Sequence, residues 1–229
     1  MDDGNATLSD RMSKLSLHSV LKKSSRLGMK LSTSLGIGLT AKDPEFDVHE
    51  LLFRSIEKSI KCFVKNVEIL YSGLEEVITC QCTCGEILSN CFKENNDTGV
   101  SEFHATQNTI MTKYLVEFKT VIESRVLKPL NILIDLFEGP DKLIQKRNDK
   151  LLDYNKALAR PDKAKESKLM HDEILLSKNN YDALNSQLLE ELPKLSVLSN
   201  EIFLECIAAF LSARKLFTGR ATKQYLSLC

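Results

Sequence analysis

The chain has 229 residues, of which 43% are hydrophobic, and this suffices for one large domain or for a domain with a tail. Nine glycines and five prolines are too few for an all-β or loop-rich fold. The 31 basic and 31 acidic residues cancel, so attraction to an anionic partner requires local segregation of charge.

The sequence contains no uninterrupted run of about 18 apolar residues, and its N-terminus lacks the apolar core of a signal peptide. Seven cysteines in a chain that is not secreted are expected to be reduced thiols. We therefore expect a cytoplasmic protein without a membrane-spanning helix.

Residues 1–42 are rich in serine and are predicted to be separate from the remainder, 43–229. Residues 11–30 contain six basic residues and no Asp or Glu, which favours a secondary membrane-binding segment. The six basic residues are Arg11, Lys14, Lys22, Lys23, Arg26 and Lys30. Two interpretations stay open: a basic amphipathic helix that orders on a membrane, or a disordered, phosphorylatable linker. Phosphorylation at Ser13, Ser24 or Ser25 would cancel neighbouring positive charge and release the segment from lipid.

The first predicted helix begins at Asp43-Pro44, a capping residue followed by proline at the first helical position. Its apolar residues are spaced three and four apart up to about Cys91: Leu52, Ile56, Ile60, Phe63, Val67, Leu70, Leu74 and Val77 or Ile78. The polar segment 92–99, FKENNDTG, is a predicted break.

A second helix is predicted to begin near Ser101 and to continue to the break at 160–162. Its apolar residues keep their phase across Pro129 and Gly139-Pro140, which indicates kinks and not ends: Met111, Leu115, Phe118, Ile122, Val126, Leu130, Leu133, Phe137, Ile144 and Leu151.

A third helix is predicted from about Asp162 or His171 towards Leu226, with Pro193 in its interior. Its apolar residues are Leu176, Ala183 or Leu184, Leu188, Leu192, Leu195, Leu198, Ile202, Cys206, Ala209, Ala213 and Leu216. Each of the three helices would be about 75–90 Å long. Three such rods leave apolar surface uncovered, which favours an antiparallel homodimer with a six-helix centre.

Two segments carry a family resemblance. KRNDKLLDYN at 146–155 resembles the KR-x-x-KL-x-DY segment of amphiphysin-like BAR domains, and LLEELPKL at 188–195 resembles their LQEELP segment. The resemblance covers about residues 44–225 and implies an all-α crescent-shaped dimer that binds curved, anionic membrane.

The longer stretches PLNILIDLFEGPDKLIQKRNDKLLDYN and NNYDALNSQLLEELPKL resemble the BAR segment of Tuba-type Rho guanine nucleotide exchange factors. That resemblance implies a Dbl-homology exchange domain before the BAR domain and SH3 domains after it. Neither module is expected within these residues, so the chain is interpreted as a fragment, an isoform or a truncated relative. Any exchange activity would belong to a separate domain.

The candidate membrane-binding residues are nine cations between 142 and 168: Lys142, Lys146, Arg147, Lys150, Lys156, Arg160, Lys163, Lys165 and Lys168. Only four acidic residues lie in the same stretch, namely Asp149, Asp153, Asp162 and Glu166. An ordinary solvated helix face is the alternative interpretation, and the family resemblance favours a membrane-binding surface.

No catalytic or metal site and no cofactor is predicted. The C-x-C-x-C at Cys80, Cys82 and Cys84 lacks the spacing of a structural zinc site, and neighbouring members of the trio face opposite sides of a helix. Two functions remain in competition. One is a dimeric membrane-binding and curvature-sensing module that localises a Rho exchange factor. The other is a non-membrane scaffold or regulatory module that binds a small GTPase or an exchange domain, favoured by the zero net charge.

Overall fold

Three long helices make up the computed structural model, which describes residues 43–92, 98–159 and 168–228. Helix α1 is Pro44–Cys91, helix α2 is the helical run 98–158, and helix α3 is Lys168–Leu226. Within those described ranges nearly every residue is helical and no residue is in a β-strand. The predicted all-α fold of three long helices is confirmed.

The start of α1 follows from its first residues. The backbone N–H of Phe46 donates to Asp43 Oδ1 at 3.1 Å, so the carboxylate caps a helix that opens with Pro44. Glu45 and Asp47 in the first turn add negative charge where the helix dipole is positive. The predicted helix start at Asp43-Pro44 is confirmed.

Helix α2 is interrupted at the single turn residue Phe137 and changes its hydrogen-bonding pattern along its length. Its segments are Thr98–Thr109, the π-helical Ile110–Leu115, Val116–Ile122, the π-helical Glu123–Leu127, Lys128–Leu136 and Glu138–Leu158.

A π-helical turn directly precedes Pro129, where the Lys128 N–H donates five residues back to the carbonyl of Glu123. Such a turn changes the backbone hydrogen-bonding pattern of the helix near a proline, which has no N–H to donate. Next to Gly139-Pro140, Phe137 is a single turn residue that donates to the Ile134 carbonyl at 3.2 Å. Neither proline ends the helical run.

The described chain divides into two compact units whose three boundaries fall within the long helices. The boundary in α2 lies next to Gly139-Pro140 and the boundary in α3 lies at Pro193, whereas the boundary in α1, between His49 and Glu50, has no proline beside it. Unit 1 contains residues 43–49 and 139–192, and unit 2 contains residues 50–138 and 193–228, as far as the structure describes them. Pro193 lies inside α3, as predicted, and is the first α3 residue of unit 2.

Aromatic side chains from all three helices build the core of unit 2. The Phe53 and Phe137 rings meet edge to face with centroids 5.4 Å apart, a favourable aromatic geometry. Phe63 contacts Phe203 and Phe210 of α3 in the same manner. The predicted apolar positions on α2 from Leu115 to Phe137 are all buried.

The predicted apolar stripes of α1 and α3 are partly wrong. Leu52 is 47% exposed and Leu198 and Leu216 are 57% and 53% exposed, so these leucines do not face the core. The buried side of α1 contains the predicted positions Ile60, Val67 and Ile78, together with Phe46, Phe53 and Val64, which were not in the predicted stripe. All but four of the exposed large hydrophobic side chains among the described residues lie in unit 2.

Helix α3 also has the length and composition of a membrane-crossing helix, although apolar helices of soluble proteins meet the same criterion. Only 17% of its most apolar window is buried within the chain. Glu201 and Glu205 interrupt this apolar part of the helix. An exposed apolar helix of this kind needs cover from outside the chain.

Candidate membrane-binding site

Four lysines of α2 share the outer side of the segment Glu138–Leu158. Lys142, Lys146 and Lys156 are exposed and Lys150 is half-buried, whereas Ile144 faces the interior of unit 1. Asp149 and Asp153 are half-buried and lie between these lysines in the sequence. We call Lys142, Lys146, Lys150 and Lys156 the lysine face.

Within the described residues, the last three lysines of this face have no acidic partner within 4 Å. Their ammonium groups are therefore available to an external anion.

Arg147 departs from the sequence prediction, because its side chain is buried at 2% exposure. Its Nη2 lies 3.2 Å from Asp43 Oδ2 and 3.0 Å from the Tyr181 hydroxyl, and its Nε donates to Asn185 Oδ1 at 2.8 Å. The guanidinium also stacks on the Phe46 ring, 3.7 Å from its centroid. The prediction that Arg147 contacts a membrane is wrong, since every side of the group is occupied within the protein.

Asp43 contacts the same neighbours on α1 and α3 as Arg147 does. Its Oδ1 caps α1, and its Oδ2 accepts from Asn185 Nδ2 at 2.5 Å and from the Tyr181 hydroxyl at 3.3 Å. Burial alone would raise the pKa of Asp43, but the Phe46 N–H, the Asn185 amide and the Arg147 charge outweigh burial and lower it. Burial raises the pKa of Tyr181. We call Asp43, Phe46, Arg147, Tyr181 and Asn185 the Arg147 cluster.

Part of the segment 146–155, which resembles amphiphysin-like BAR domains, therefore has a structural role. Arg147 joins the start of α1 to α3, and Tyr154 stacks nearly parallel to Tyr181 with centroids 6.2 Å apart. Lys146 and Lys150 point outward from the same segment. Sequence reasoning counted all cations of the segment alike because a linear pattern does not separate a buried guanidinium from an exposed ammonium.

Of the other predicted cations, Lys168 is exposed at the first residue of α3. Arg160, Lys163 and Lys165 lie outside the described residues. So do all six cations of the predicted secondary membrane-binding segment, namely Arg11, Lys14, Lys22, Lys23, Arg26 and Lys30, and the serines Ser13, Ser24 and Ser25.

Sequence reasoning missed a second row of cations, on α1 in unit 2. Arg54, Lys58, Lys61 and Lys65 follow one another at spacings of four, three and four residues, which places them along one side of a helix. They line a shallow surface depression together with Glu57 and Cys62. Glu57 offsets part of this charge through contacts with Arg54 at 3.3 Å and Lys61 at 2.5 Å. The spacing of these four cations in the sequence could have predicted that they share one side of the helix.

The thiols do not assemble into a ligand set within the described chain. Cys80 and Cys84 are exposed on one side of α1, and burial raises the pKa of the half-buried Cys82. In the described residues no three His, Cys, Asp or Glu side chains are arranged to hold a metal ion. An apolar cavity of about 380 Å³ in unit 2 is lined by Tyr114, Val116, Phe118, Leu216 and Phe217 among others.

With the three helices and the lysine face described, the comparison with known families defines the class of protein. The BAR domain family matches residues 20–225. The chain therefore belongs to the BAR domain family. This match begins upstream of the predicted boundary at residue 43.

Among curated proteins, rat (Rattus norvegicus) dynamin-binding protein is 34% identical over 218 residues, covering 95% of this chain and 14% of that protein. Mouse (Mus musculus) Rho guanine nucleotide exchange factor 38 is 35% identical, covering 90% of this chain and 25% of that protein. The chain thus spans only a small part of the relatives it matches, as the resemblance to exchange-factor BAR segments implied.

Among solved structures, the amphiphysin BAR domain from Drosophila superposes with a TM-score of 0.57 at 21% identity. The match covers 81% of this chain and 89% of that one. At this identity the comparison establishes the fold, in agreement with the predicted three-helix architecture.

Proposed function

We propose that this chain is a dimeric membrane-binding and curvature-sensing module that acts peripherally at cytoplasmic membrane surfaces. The observation that carries the proposal is the lysine face of α2, a row of outward-pointing ammonium groups in a member of the BAR domain family. A cation close to an anionic leaflet gains about 1 kcal/mol, and screening limits this gain to about a Debye length.

The number of available cations is smaller than the sequence suggested, because Arg147 is internal. In the described part of the candidate region, Lys146, Lys150 and Lys156 of the lysine face remain, together with Lys168. Asp149 and Asp153 lower the net positive charge of this surface. One copy would therefore bind weakly, and dimerisation would double the number of cations on one particle and raise avidity.

Dimerisation is supported by the exposed apolar surface of unit 2. Helix α3 buries Cys206, Ala213 and Phe217 on one side but exposes Leu204 and Leu211 on another. Large apolar residues on a second side of a helix indicate that this side is also covered by a partner. A second copy, related by two-fold symmetry, would supply the missing cover.

We further propose that the module localises a Rho guanine nucleotide exchange factor. Support comes from the relatives named dynamin-binding protein and Rho guanine nucleotide exchange factor 38, of which this chain matches a fraction. Exchange chemistry would reside in another domain, and the part contributed here would be attachment to the membrane.

The test is co-sedimentation of the full chain with neutral and with phosphatidylserine-containing vesicles, at low and physiological salt. We expect binding to the anionic vesicles that weakens as salt rises. The double variant Lys146→Glu with Lys150→Glu should lose most of this binding while its mass and helical content stay unchanged.

The control is the charge-matched double variant Lys215→Glu with Lys223→Glu, which alters exposed lysines of α3 in unit 2. It should bind vesicles as the parent chain does. Equal binding by the parent and the Lys146–Lys150 variant would remove the lysine face from the proposal. Absence of binding by the folded parent chain would overturn membrane binding itself.

The second candidate function is a scaffold or regulatory module that binds a small GTPase or an exchange domain. The zero net charge of the chain favours it, because strong membrane binding usually accompanies a positive surface. Retention of a Rho-family GTPase or an exchange domain on the immobilised chain, combined with absence of vesicle binding, would select this alternative.

A further inference from the structure

The first turns of α3, in unit 1, carry large apolar side chains that remain exposed. Leu169 is 82% exposed and Leu176 is 63% exposed, and their spacing of seven residues places both on one side of the helix. Leu175, next to Leu176, is also exposed. A helix surface of this kind is normally covered by another element or by a partner.

This exposure follows from the point at which α1 begins. In unit 1, Asp43 accepts a hydrogen bond from Asn185, which is 142 residues further along the chain. In unit 2, the Phe63 ring contacts the Phe203 ring, and these two residues are 140 positions apart. The nearly constant separation is that of two parallel helices. Helix α1 therefore begins beside Asn185, and residues 168–180 of α3 extend beyond its first residue.

The chain enters the described fold at Asp43, so the residues that precede Asp43 start beside this exposed part of α3. Hydrogen bonds from Tyr181 and Asn185 fix Asp43 at that point. Leu169 is 12 residues before Tyr181, a distance of about 18 Å along the helix. Residues 27–42 span about 24 Å even when every one of them is helical. They are therefore long enough to follow α3 back to its first turn.

The composition of the preceding segment complements this side of α3. Leu27, Leu31 and Leu35 recur at intervals of four residues, as on the apolar side of a helix. Residues 169–191 of α3 contain five acidic residues and one lysine, whereas residues 11–30 contain six basic residues and no acidic residue. Contact between the two would bury leucines from both and bring opposite charges together.

An anionic membrane suits the same surface of α3 less well. Asp172 and Glu173 are exposed and lie three and four residues after Leu169, on the side that also carries Leu176. Carboxylates brought against an anionic leaflet are repelled by it. The charges of this surface therefore favour a basic peptide segment over lipid.

We propose that residues 27–42 of this chain pack along residues 168–183 of α3, and that an anionic membrane competes with α3 for them. In the packed state the leucines of the segment cover the leucines of α3. The same leucines, with Arg26 and Lys30 beside them, are the groups that would contact lipid, so the segment binds one surface at a time. The contact withholds the segment from lipid until an anionic membrane is present, and it goes beyond the proposed function, which concerns the lysine face.

Photo-cross-linking of the full chain tests the contact directly. The photo-reactive residue p-benzoylphenylalanine in place of Leu176 should cross-link to a peptide within residues 27–42, identified by mass spectrometry after digestion. The product should migrate as a single chain on a denaturing gel. Absence of this product would overturn the proposal, and so would a product that joins two chains.

The matched control carries the same photo-reactive residue in place of Leu204, an exposed leucine of α3 in unit 2. It should give no cross-link to residues 27–42. An equal yield from positions 204 and 176 would show a non-specific contact and would overturn the proposal.

Vesicles test the competition between α3 and lipid. Phosphatidylserine-containing vesicles should lower the cross-linking yield from position 176 about fivefold, because lipid removes the segment from α3. Neutral vesicles should leave the yield unchanged. A yield that anionic vesicles do not lower would overturn the competition, whether or not the chain sediments with them.

The direction of a change in vesicle affinity distinguishes a peptide occupant from lipid. Leu169→Ser with Leu176→Ser should raise the affinity for phosphatidylserine-containing vesicles about fivefold, because a segment held on α3 is open to lipid only in the remaining fraction of molecules. Val48→Ser, which alters an exposed apolar residue of unit 1 on α1, is the matched control and should leave the affinity unchanged. A lower affinity of the double variant would mean that the two leucines insert into lipid. Either a lower or an unchanged affinity would overturn the proposal.

Failure of this inference is distinguishable from failure of the proposed function. Lys146→Glu with Lys150→Glu alters the lysine face and should leave the cross-link from position 176 intact. A chain that gives the cross-link but binds no vesicles would retain the contact with α3 and lose the membrane function. A chain that binds vesicles through the lysine face without giving the cross-link would lose only the contact.

Discussion

Units 1 and 2 are built from the same three helices but are stabilised in different ways. Unit 1 is organised around a buried charge, the Arg147 guanidinium, which contacts the carboxylate, phenol, amide and aromatic ring of the Arg147 cluster. Unit 2 is organised around phenylalanine rings and leaves many of its other large apolar side chains exposed. Unit 1 satisfies its polar groups internally, and unit 2 leaves apolar surface without a partner.

This difference assigns different tasks to the two units. A buried ion pair contributes little net stability, because desolvation offsets the attraction, but it fixes which groups must come together. The Arg147 cluster thereby fixes the start of α1 against α2 and α3 within unit 1. The apolar surface of unit 2 indicates association. Resemblance of a segment to the family does not imply that all of its cations contact lipid, since Arg147 belongs to the segment 146–155 and is buried.

The largest expected effect is the loss of an aromatic ring from unit 2. Phe137→Ala removes a ring that is 1% exposed and meets Phe53, so the free energy of unfolding should fall by about 3–5 kcal/mol. Urea unfolding at fixed protein concentration measures it. Leu136→Ala is the matched control, because Leu136 is 61% exposed. An equally large loss for Leu136→Ala would mean that a partner buries it.

A somewhat smaller loss is expected from removing the charge at the centre of unit 1. Arg147→Ala leaves the Asp43 carboxylate without its buried counterion and should lower the free energy of unfolding by about 3 kcal/mol. Lys146→Ala, one residue away and exposed, should change stability by less than about 0.5 kcal/mol. A normal unfolding curve for Arg147→Ala, with vesicle binding lost, would instead return Arg147 to the membrane surface.

The acid dependence of stability should also distinguish the units. The pKa of Asp43 is lowered in the folded chain, so its contribution is present above the unfolded pKa near 3.8 and is lost as pH falls through the lower folded value. Asp43→Asn should remove this part of the pH dependence. Thermal unfolding from pH 7 down to pH 2.5 would show the two curves converging in acid. If the stabilities of the parent chain and Asp43→Asn instead differ by the same amount at every pH, Asp43 is not the titrating group.

Much of the fold was predictable because its strongest signals are local. The start of α1 at Asp43-Pro44, the buried apolar positions from Leu115 to Phe137 and the position of Pro193 inside α3 all follow from helix capping, periodicity and the geometry of proline. Each depends on neighbours within a few turns. The family resemblance of two short segments supplied the class of protein.

The candidate site was less predictable because burial depends on packing between helices. Arg147 and Lys146 are adjacent basic residues, yet one is internal and the other is exposed. The partners that bury Arg147 are 104 residues before it and 34 and 38 residues after it. Likewise, Leu52 and Phe53 both suit an apolar stripe, and only the packing of α2 against α1 in unit 2 selects Phe53.

The smallest expected effects concern two glycines of α1, for which opposite signs are expected. Gly73→Ala places its Cβ in open space within the chain, and the gain in helix propensity should stabilise an isolated copy by about 0.5–1 kcal/mol. Gly85→Ala would bring its Cβ to 3.2 Å from His104 Cα, a backbone atom that cannot easily move. The resulting strain should exceed the gain in propensity and lower stability by roughly 1 kcal/mol. Unfolding of both variants at a concentration where the chain is monomeric measures the signs. A loss of stability for Gly73→Ala, or a gain for Gly85→Ala, would contradict these assignments.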